Sequence, residues 1–175
     1  MKKNALLLGI AFMVLEAASV FATPAPPFTE CPAVGQDTSC GLLIVFNAGG
    51  SASIFADSSQ GAFNPNGDDT LIGAVNSSGS TVASTTITGT DVVNALPAFF
   101  FDGGGLCGFG IFPQPCSPAN PFDPTGYGGP GISFTNMSSD LTTGTVVFNN
   151  GNGLADGQSA YFSLEGILTA SDVTA

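Results

Sequence analysis

From residue 41 onward the apolar residues of this chain fall into short runs, each bounded by Gly, Asn, Ser, Asp or Pro. Short runs rich in β-branched and aromatic residues read as strands, and the boundaries between them as turns. Residues 41–46 are apolar almost throughout and predict a buried strand. Residues 51–55 form its hairpin partner across Asn47-Ala48-Gly49-Gly50. Residues 70–76 predict a third strand, with Leu71 and Val75 on one face. Ser77-Ser78-Gly79-Ser80 then turns the chain, and residues 81–88 return as a Thr- and Ser-rich strand with one wet face. Residues 91–96 read as a short helix or a corner. Residues 98–101 and 106–112 are expected as two central strands flanking Asp102-Gly103-Gly104-Gly105, a tight turn that glycine permits and that faces a ligand.

Residues 132–136 and 145–149 predict two further strands. Residues 159–165 alternate, with Ala160, Phe162 and Leu164 inward and Ser159, Tyr161, Ser163 and Glu165 outward. Residues 113–131 form the longest irregular stretch, rich in Pro and Gly. About seven to nine strands at this spacing predict an all-β fold. The expected architecture is an antiparallel β-sandwich, Ig-like or jelly-roll-like, with disulfide-stapled loops.

The amino terminus sets the compartment. Lys2 and Lys3 precede an apolar stretch at 5–15, and Val20-Phe21-Ala22 supplies cleavage positions. These features predict a secretory signal peptide over 1–22, cut after Ala22. The apolar stretch is too short to span a bilayer, which takes about 20 residues. A proline-rich leader follows over 23–30, and 31–175 are expected as a single β-sandwich domain in a secreted, extracellular protein.

Charge then narrows the chemistry. Lys2 and Lys3 are the only basic residues, and there is no His. Past Ala22 the chain carries twelve acids and no cation. Nucleic-acid binding lacks the cations that displace counterions, and an anionic membrane would repel this surface. A Ser-His-Asp triad, a Schiff-base lysine and a His-ligated zinc are all ruled out. A carboxylate pair for glycoside hydrolysis remains formally open. With no Trp, and only Tyr127 and Tyr161 as phenol rings, it is the weakest of the functional readings. No catalytic residue is assigned.

Cys31/Cys40 and Cys107/Cys116 share one spacing, and export favours oxidation. Two local disulfides, Cys31–Cys40 and Cys107–Cys116, are the simplest of the three connectivities. In the chain-entropy model each would contribute about 2.7 kcal/mol. A four-cysteine metal site fits the spacing poorly.

Asp68 and Asp69 follow Asn64, Asn66 and Gly67 in a loop, and Asp102 heads the glycine turn. Oxygen ligands from irregular loops suit calcium, so Asp68, Asp69 and Asp102 are the candidate ligands. The EF-hand spacing is absent. Asx-turn chemistry, in which Asp bonds its own backbone, is the plainer reading of the same residues. Asn76-Ser77-Ser78 and Asn136-Met137-Ser138 match the glycosylation sequon, which matters only in a eukaryotic host.

Several phrases carry a family resemblance: Asn66-Gly67-Asp68-Asp69-Thr70-Leu71-Ile72-Gly73-Ala74-Val75-Asn76-Ser77-Ser78-Gly79, Phe101-Asp102-Gly103, Gly128-Gly129-Pro130-Gly131-Ile132-Ser133-Phe134-Thr135-Asn136 and Ala160-Tyr161-Phe162-Ser163-Leu164-Glu165. With these the chain resembles bacterial exported proteins of the PEP-CTERM-associated type. The resemblance implies an extracellular β-domain without established catalytic residues, associated with exopolysaccharide or cell-surface components. Such proteins close with Pro-Glu-Pro, an apolar helix and a basic tail. Here the sequence ends at Asp172-Val173-Thr174-Ala175, so a freely secreted form is expected. The leading expectation is a non-catalytic surface or matrix interaction module. A calcium-dependent carbohydrate-binding domain is the alternative.

Overall fold

A computed structural model describes residues 23–64, 67–109, 123 and 125–175. The expected signal peptide and Cys116 lie outside the described residues, as do 113–122 and 124 of the long irregular stretch. The strands are β1 (Leu42–Asn47), β2 (Ala52–Ala56), β3 (Thr70–Ser77), β4 (Ser84–Asp91), β5 (Leu96–Pro97), β6 (Ser133–Thr135), β7 (Thr143–Val147), β8 (Ser159–Leu164) and β9 (Val173–Thr174). One sheet runs in the order β2-β1-β3-β8. The other runs β5-β4-β7-β6, with β9 also paired to β4. Among the described residues there is no α-helix, and the two sheets form the expected β-sandwich.

Strand β1 is apolar on both sides because both sides are covered. Leu42, Ile44 and Phe46 face the second sheet and meet Ile72, Ala74, Phe162, Ile87 and Val146 in the main core. Edge-on ring contacts cross it, Phe46 to Phe148 at 5.6 Å and Phe134 to Phe162 at 6.0 Å. Leu43 and Val45 point the other way, into a second apolar cluster with Leu71, Phe28, Val34, Phe63 and Leu106. The Cys31–Cys40 disulfide, with Cα atoms 5.1 Å apart, closes the loop that supplies this cover. Phe28 is part of it, and the Cys40 N–H donates to the Phe28 carbonyl, so packing begins inside the proline-rich leader.

The β1–β2 hairpin turns where expected, with Gly49 and Gly50 at φ 83° and 81°. Strand β3, by contrast, pairs with β1 in parallel. A parallel neighbour cannot be reached by a two-residue turn. The connection from Asp57 to Asp69 therefore crosses over the outer side and tucks Phe63 into the second cluster. In the second sheet β4 keeps its wet face, where Ser84, Thr86 and Thr88 are exposed. The Thr88 and Thr143 hydroxyls lie 3.0 Å apart across the β4–β7 pair.

Three local expectations are corrected, and of the short helix or corner expected over 91–96 the structure has the corner. Residues 98–101 are not a strand. Their backbone bonds go to separate segments: the Ala98 N–H to Gly89, the Phe99 N–H to Leu141, and the Glu165 N–H to the Ala98 carbonyl. The aromatics are still buried in part, since Phe99 and Phe101 enter the core while Phe100 is 47% exposed. In place of a strand over 106–112, Leu106–Phe109 makes one 3-10 turn, and 110–112 lie outside the described residues. Residues 92–95 form the turn of the β4–β5 hairpin, because Asp91 gathers the N–H groups of Val93 and Asn94. Finally, Ser163 and Glu165 are buried, whereas alternation placed them outward.

Candidate functional site

Register creates the site. Strands β3 and β8 are antiparallel, with Thr70 opposite Leu164. Asp69 precedes β3 and Glu165 follows β8, so the two acids emerge side by side at one end of the pair. Both are 1% exposed. A carboxylate oxygen from each of Asp68, Asp69 and Glu165 lies within 4.8 Å of the other two. Asp68 is half-buried at the rim.

Tyr127 backs the cluster. Its ring packs in the core against Phe101, centroids 4.8 Å apart. Its hydroxyl lies 2.8 Å from Glu165 Oε2 and 3.0 Å from Asp102 Oδ1. One hydroxyl hydrogen cannot fully satisfy two carboxylates. With Glu165 protonated, that acid donates to the phenol oxygen, and the phenol donates to Asp102. With Glu165 ionised, the two carboxylates compete for a single donor.

The glycines of the turn make this approach feasible. Gly103 takes φ 100°. At Gly104 a Cβ would sit 3.0 Å from Asp69 Oδ2 and 3.1 Å from Asp102 Oδ1. The Gly104 N–H donates to Asp102 Oδ1 at 2.8 Å.

Electrostatics follow from burial without a countercharge. Burial pushes the Asp69 carboxyl up to about 7; the Tyr127 hydroxyl opposes this, and the charges of Asp68 and Asp102 add to it. Glu165 rises to about 8 for the same reasons, burial first, with Asp69 among the charges that raise it. Burial, then the neighbouring acids, keep the Tyr127 phenol protonated well above its ordinary range. This corner therefore holds protons near neutrality that ordinary carboxyls would release.

Of the candidate ligands, Asp68 and Asp69 come together. Asp102 stands one step away, exposed and joined through Tyr127, and does Asx-turn work. Glu165 takes the third place in the carboxylate set. Pattern reasoning missed it because alternation assigned the outer side of β8 to water. Its one signal in the sequence is an acid directly after a well-patterned strand.

Most other buried acids serve as turn caps. Asp57 accepts the Ser59 N–H and hydroxyl. Asp123 accepts from Thr125 and from the Gly128 N–H at 2.6 Å. Asn76 is wholly buried, its side-chain N–H groups donated to the carbonyls of Ser80 and Leu154. That removes the first sequon from the surface, while Asn136 is exposed. Cys107 is half-buried, and no cysteine among the described residues is free. No helix among the described residues is long and apolar enough to cross a membrane. Comparison with family models, with curated proteins and with solved structures finds no match.

Proposed function

We propose that this protein is a secreted, non-catalytic interaction module of a bacterial surface or extracellular matrix, with exopolysaccharide or cell-surface components as its partners. The observation that carries the non-catalytic reading is the burial of the acidic corner. Asp69 and Glu165 are 1% exposed and Tyr127 is sealed, which leaves no surface on which a sugar ring could meet the acid pair. A glycosidase needs both carboxyls open to the scissile bond. The resemblance to PEP-CTERM-associated proteins supports the partner class. So does the outer face of the second sheet, where Ser84, Thr86, Thr88 and Thr135 present exposed, uncharged hydroxyls. Such a face hydrogen-bonds to hydrated polymers without needing a countercharge.

The test is cofractionation of the mature protein with exopolysaccharide and cell-surface fractions, alongside an assay for released reducing sugar. Retention without sugar release is the expected result. Sugar release that disappears in Glu165→Gln would replace the module with a hydrolase. The alternative of a calcium-dependent carbohydrate-binding domain is favoured by the accessible acids at the rim of that corner, half-buried Asp68 and exposed Asp102. It predicts retention on polysaccharide that is lost in chelator.

A further inference from the structure

A buried carboxylate in this protein has two ways to shed its charge. Residues 23–175 contain no Lys, Arg or His, so compensation comes from a proton or from a cation the chain does not supply. Elsewhere, local donors ease the cost. Asp91, fully buried, accepts N–H bonds from Val93, Asn94 and Ile167. Asp123 accepts three bonds from Thr125 and Gly128.

Asp69 is different. Asn64 Nδ2 donates to its Oδ2 at 3.0 Å, but its buried Oδ1 has no hydrogen-bond donor among the described residues. A carboxylate oxygen of Asp69 lies within 4.8 Å of one from Asp68 and one from Glu165. A buried carboxyl with one donor-less oxygen, set beside two further acids and no cation, offers the oxygen ligands of a hard-cation site.

The geometry points to a Ca²⁺ site held by Asp69, Glu165 and Asp68, with Tyr127 as the group that orients Glu165 from behind. The donors are all hard oxygens, which excludes soft-metal chemistry. Calcium binds oxygen at about 2.3–2.6 Å, so two ligands on one ion lie at most about 5 Å apart. The oxygens of the set lie within 4.8 Å of one another, inside that span. Magnesium, at about 2.0–2.1 Å, holds its ligands within about 4 Å and demands a stricter octahedron. Water completes the shell on the half-buried Asp68 side. The Tyr127 hydroxyl donates to Glu165 Oε2 at 2.8 Å, the usual second-layer support of a ligating carboxylate. This inference does not depend on the interaction-module reading.

Two measurements on the chelator-stripped mature protein decide it. The first is thermal unfolding in calcium, in magnesium and in sodium chloride of equal ionic strength. The second is terbium luminescence. The chain has no Trp, and of its two tyrosines Tyr127 touches the proposed ligand Glu165. Terbium bound there is therefore excited through that ring.

A calcium-specific rise in midpoint is expected, together with terbium emission that calcium displaces. Affinity should lie in the range of extracellular modules, roughly 10⁻⁴–10⁻³ M. Asp69→Asn should weaken it by about tenfold or more, one lost charged ligand being worth at least ~1.4 kcal/mol. Tyr127→Phe should weaken the calcium shift, because Glu165 loses its supporting donor, and should remove most of the emission. If Asp69→Asn fails to fold, Glu165→Gln carries the same expectation. Equal midpoints in all three salts without sensitised emission would overturn the site. So would an Asp69→Asn protein that responds to calcium like the parent; the corner would then be a proton-sharing acid pair.

Discussion

The Tyr127 hydroxyl lies 2.8 Å from Oε2 of Glu165, with both side chains withdrawn from water. Two residues far apart in the chain thus share the polar contact on which the acidic corner depends. Tyr127→Phe removes the hydroxyl and leaves the ring in place. Loss of about 1–3 kcal/mol is expected, the cost of a buried acceptor without its donor. The loss should be larger at pH 9 than at pH 5, because an ionised Glu165 needs that donor more. Chemical denaturation in chelator at the two pH values measures it.

The same corner sets the pH response of the metal-free protein. The folded state holds protons on Asp69 and Glu165 up to about 7 and about 8, whereas ordinary values are 3.8 and 4.5. Between these limits the unfolded chain binds fewer protons than the folded one, so stability falls as pH rises. Below the ordinary values this contribution is fully present, and above about 8 the decline ends. Midpoints in chelator should therefore drop from mild acid to mild alkali. Glu165→Gln should flatten the slope, and an unchanged slope in that variant would remove Glu165 from the account.

Asp91 works in the opposite direction. Burial raises its pKa, but N–H bonds from Asn94, Val93 and Ile167 outweigh burial and leave it below the ordinary range. Its contribution is present above the ordinary carboxyl range and is lost as pH falls through the folded value. Asp91→Ala strands three backbone N–H groups and should cost about 3 kcal/mol at neutral pH. Urea titration of the variant measures that loss, and a cost within experimental error would show that water replaces the carboxylate.

Asp37 should be an improvable position. It is 3% exposed, and its Oδ2 has no hydrogen-bond donor among the described residues. Burial raises its pKa; the Gly61 N–H opposes that and the Asp57 charge adds to it. Asp37→Asn keeps an acceptor for the Gly61 N–H and removes the repulsion from the Asp57 charge. A midpoint higher by about 2–4 °C at pH 7 is expected, equivalent to roughly 1 kcal/mol. The gain should shrink as pH falls through the raised pKa of the parent carboxyl, whose protonation removes the same charge.

The Cys31–Cys40 disulfide closes the loop that covers the outer face of β1. Replacing both cysteines with Ala should cost about 2.7 kcal/mol in the chain-entropy model. Hydrogen exchange should quicken first at position 40 and at Leu43, ahead of the strands between the sheets. Uniform quickening across both sheets would show that the second cluster is not a separate unit.

What the amino-acid sequence determined by itself was whatever depends on near neighbours. The unbroken apolar run of β1, the Gly49-Gly50 turn, the wet Thr face of β4 and the inward Phe162 and Leu164 of β8 all follow from periodicity and glycine chemistry. The acid-only chemistry and the Cys31–Cys40 pairing were legible in composition and spacing. Tertiary structure alone decided which segments meet. The parallel β1–β3 pairing leaves no local mark, because any strand pattern fits either direction. Phe99 and Phe101 have strand-like alternation, yet the backbone partners of Ala98 and Phe99 lie on three different segments, so no ladder forms. Glu165 reads as a solvated acid until the β3–β8 register sets it beside Asp69, and Asn76 reads as a surface amide until the Leu154 carbonyl claims it. The burial of a polar side chain depends on a partner from a distant part of the chain, and local pattern carries no information about that partner.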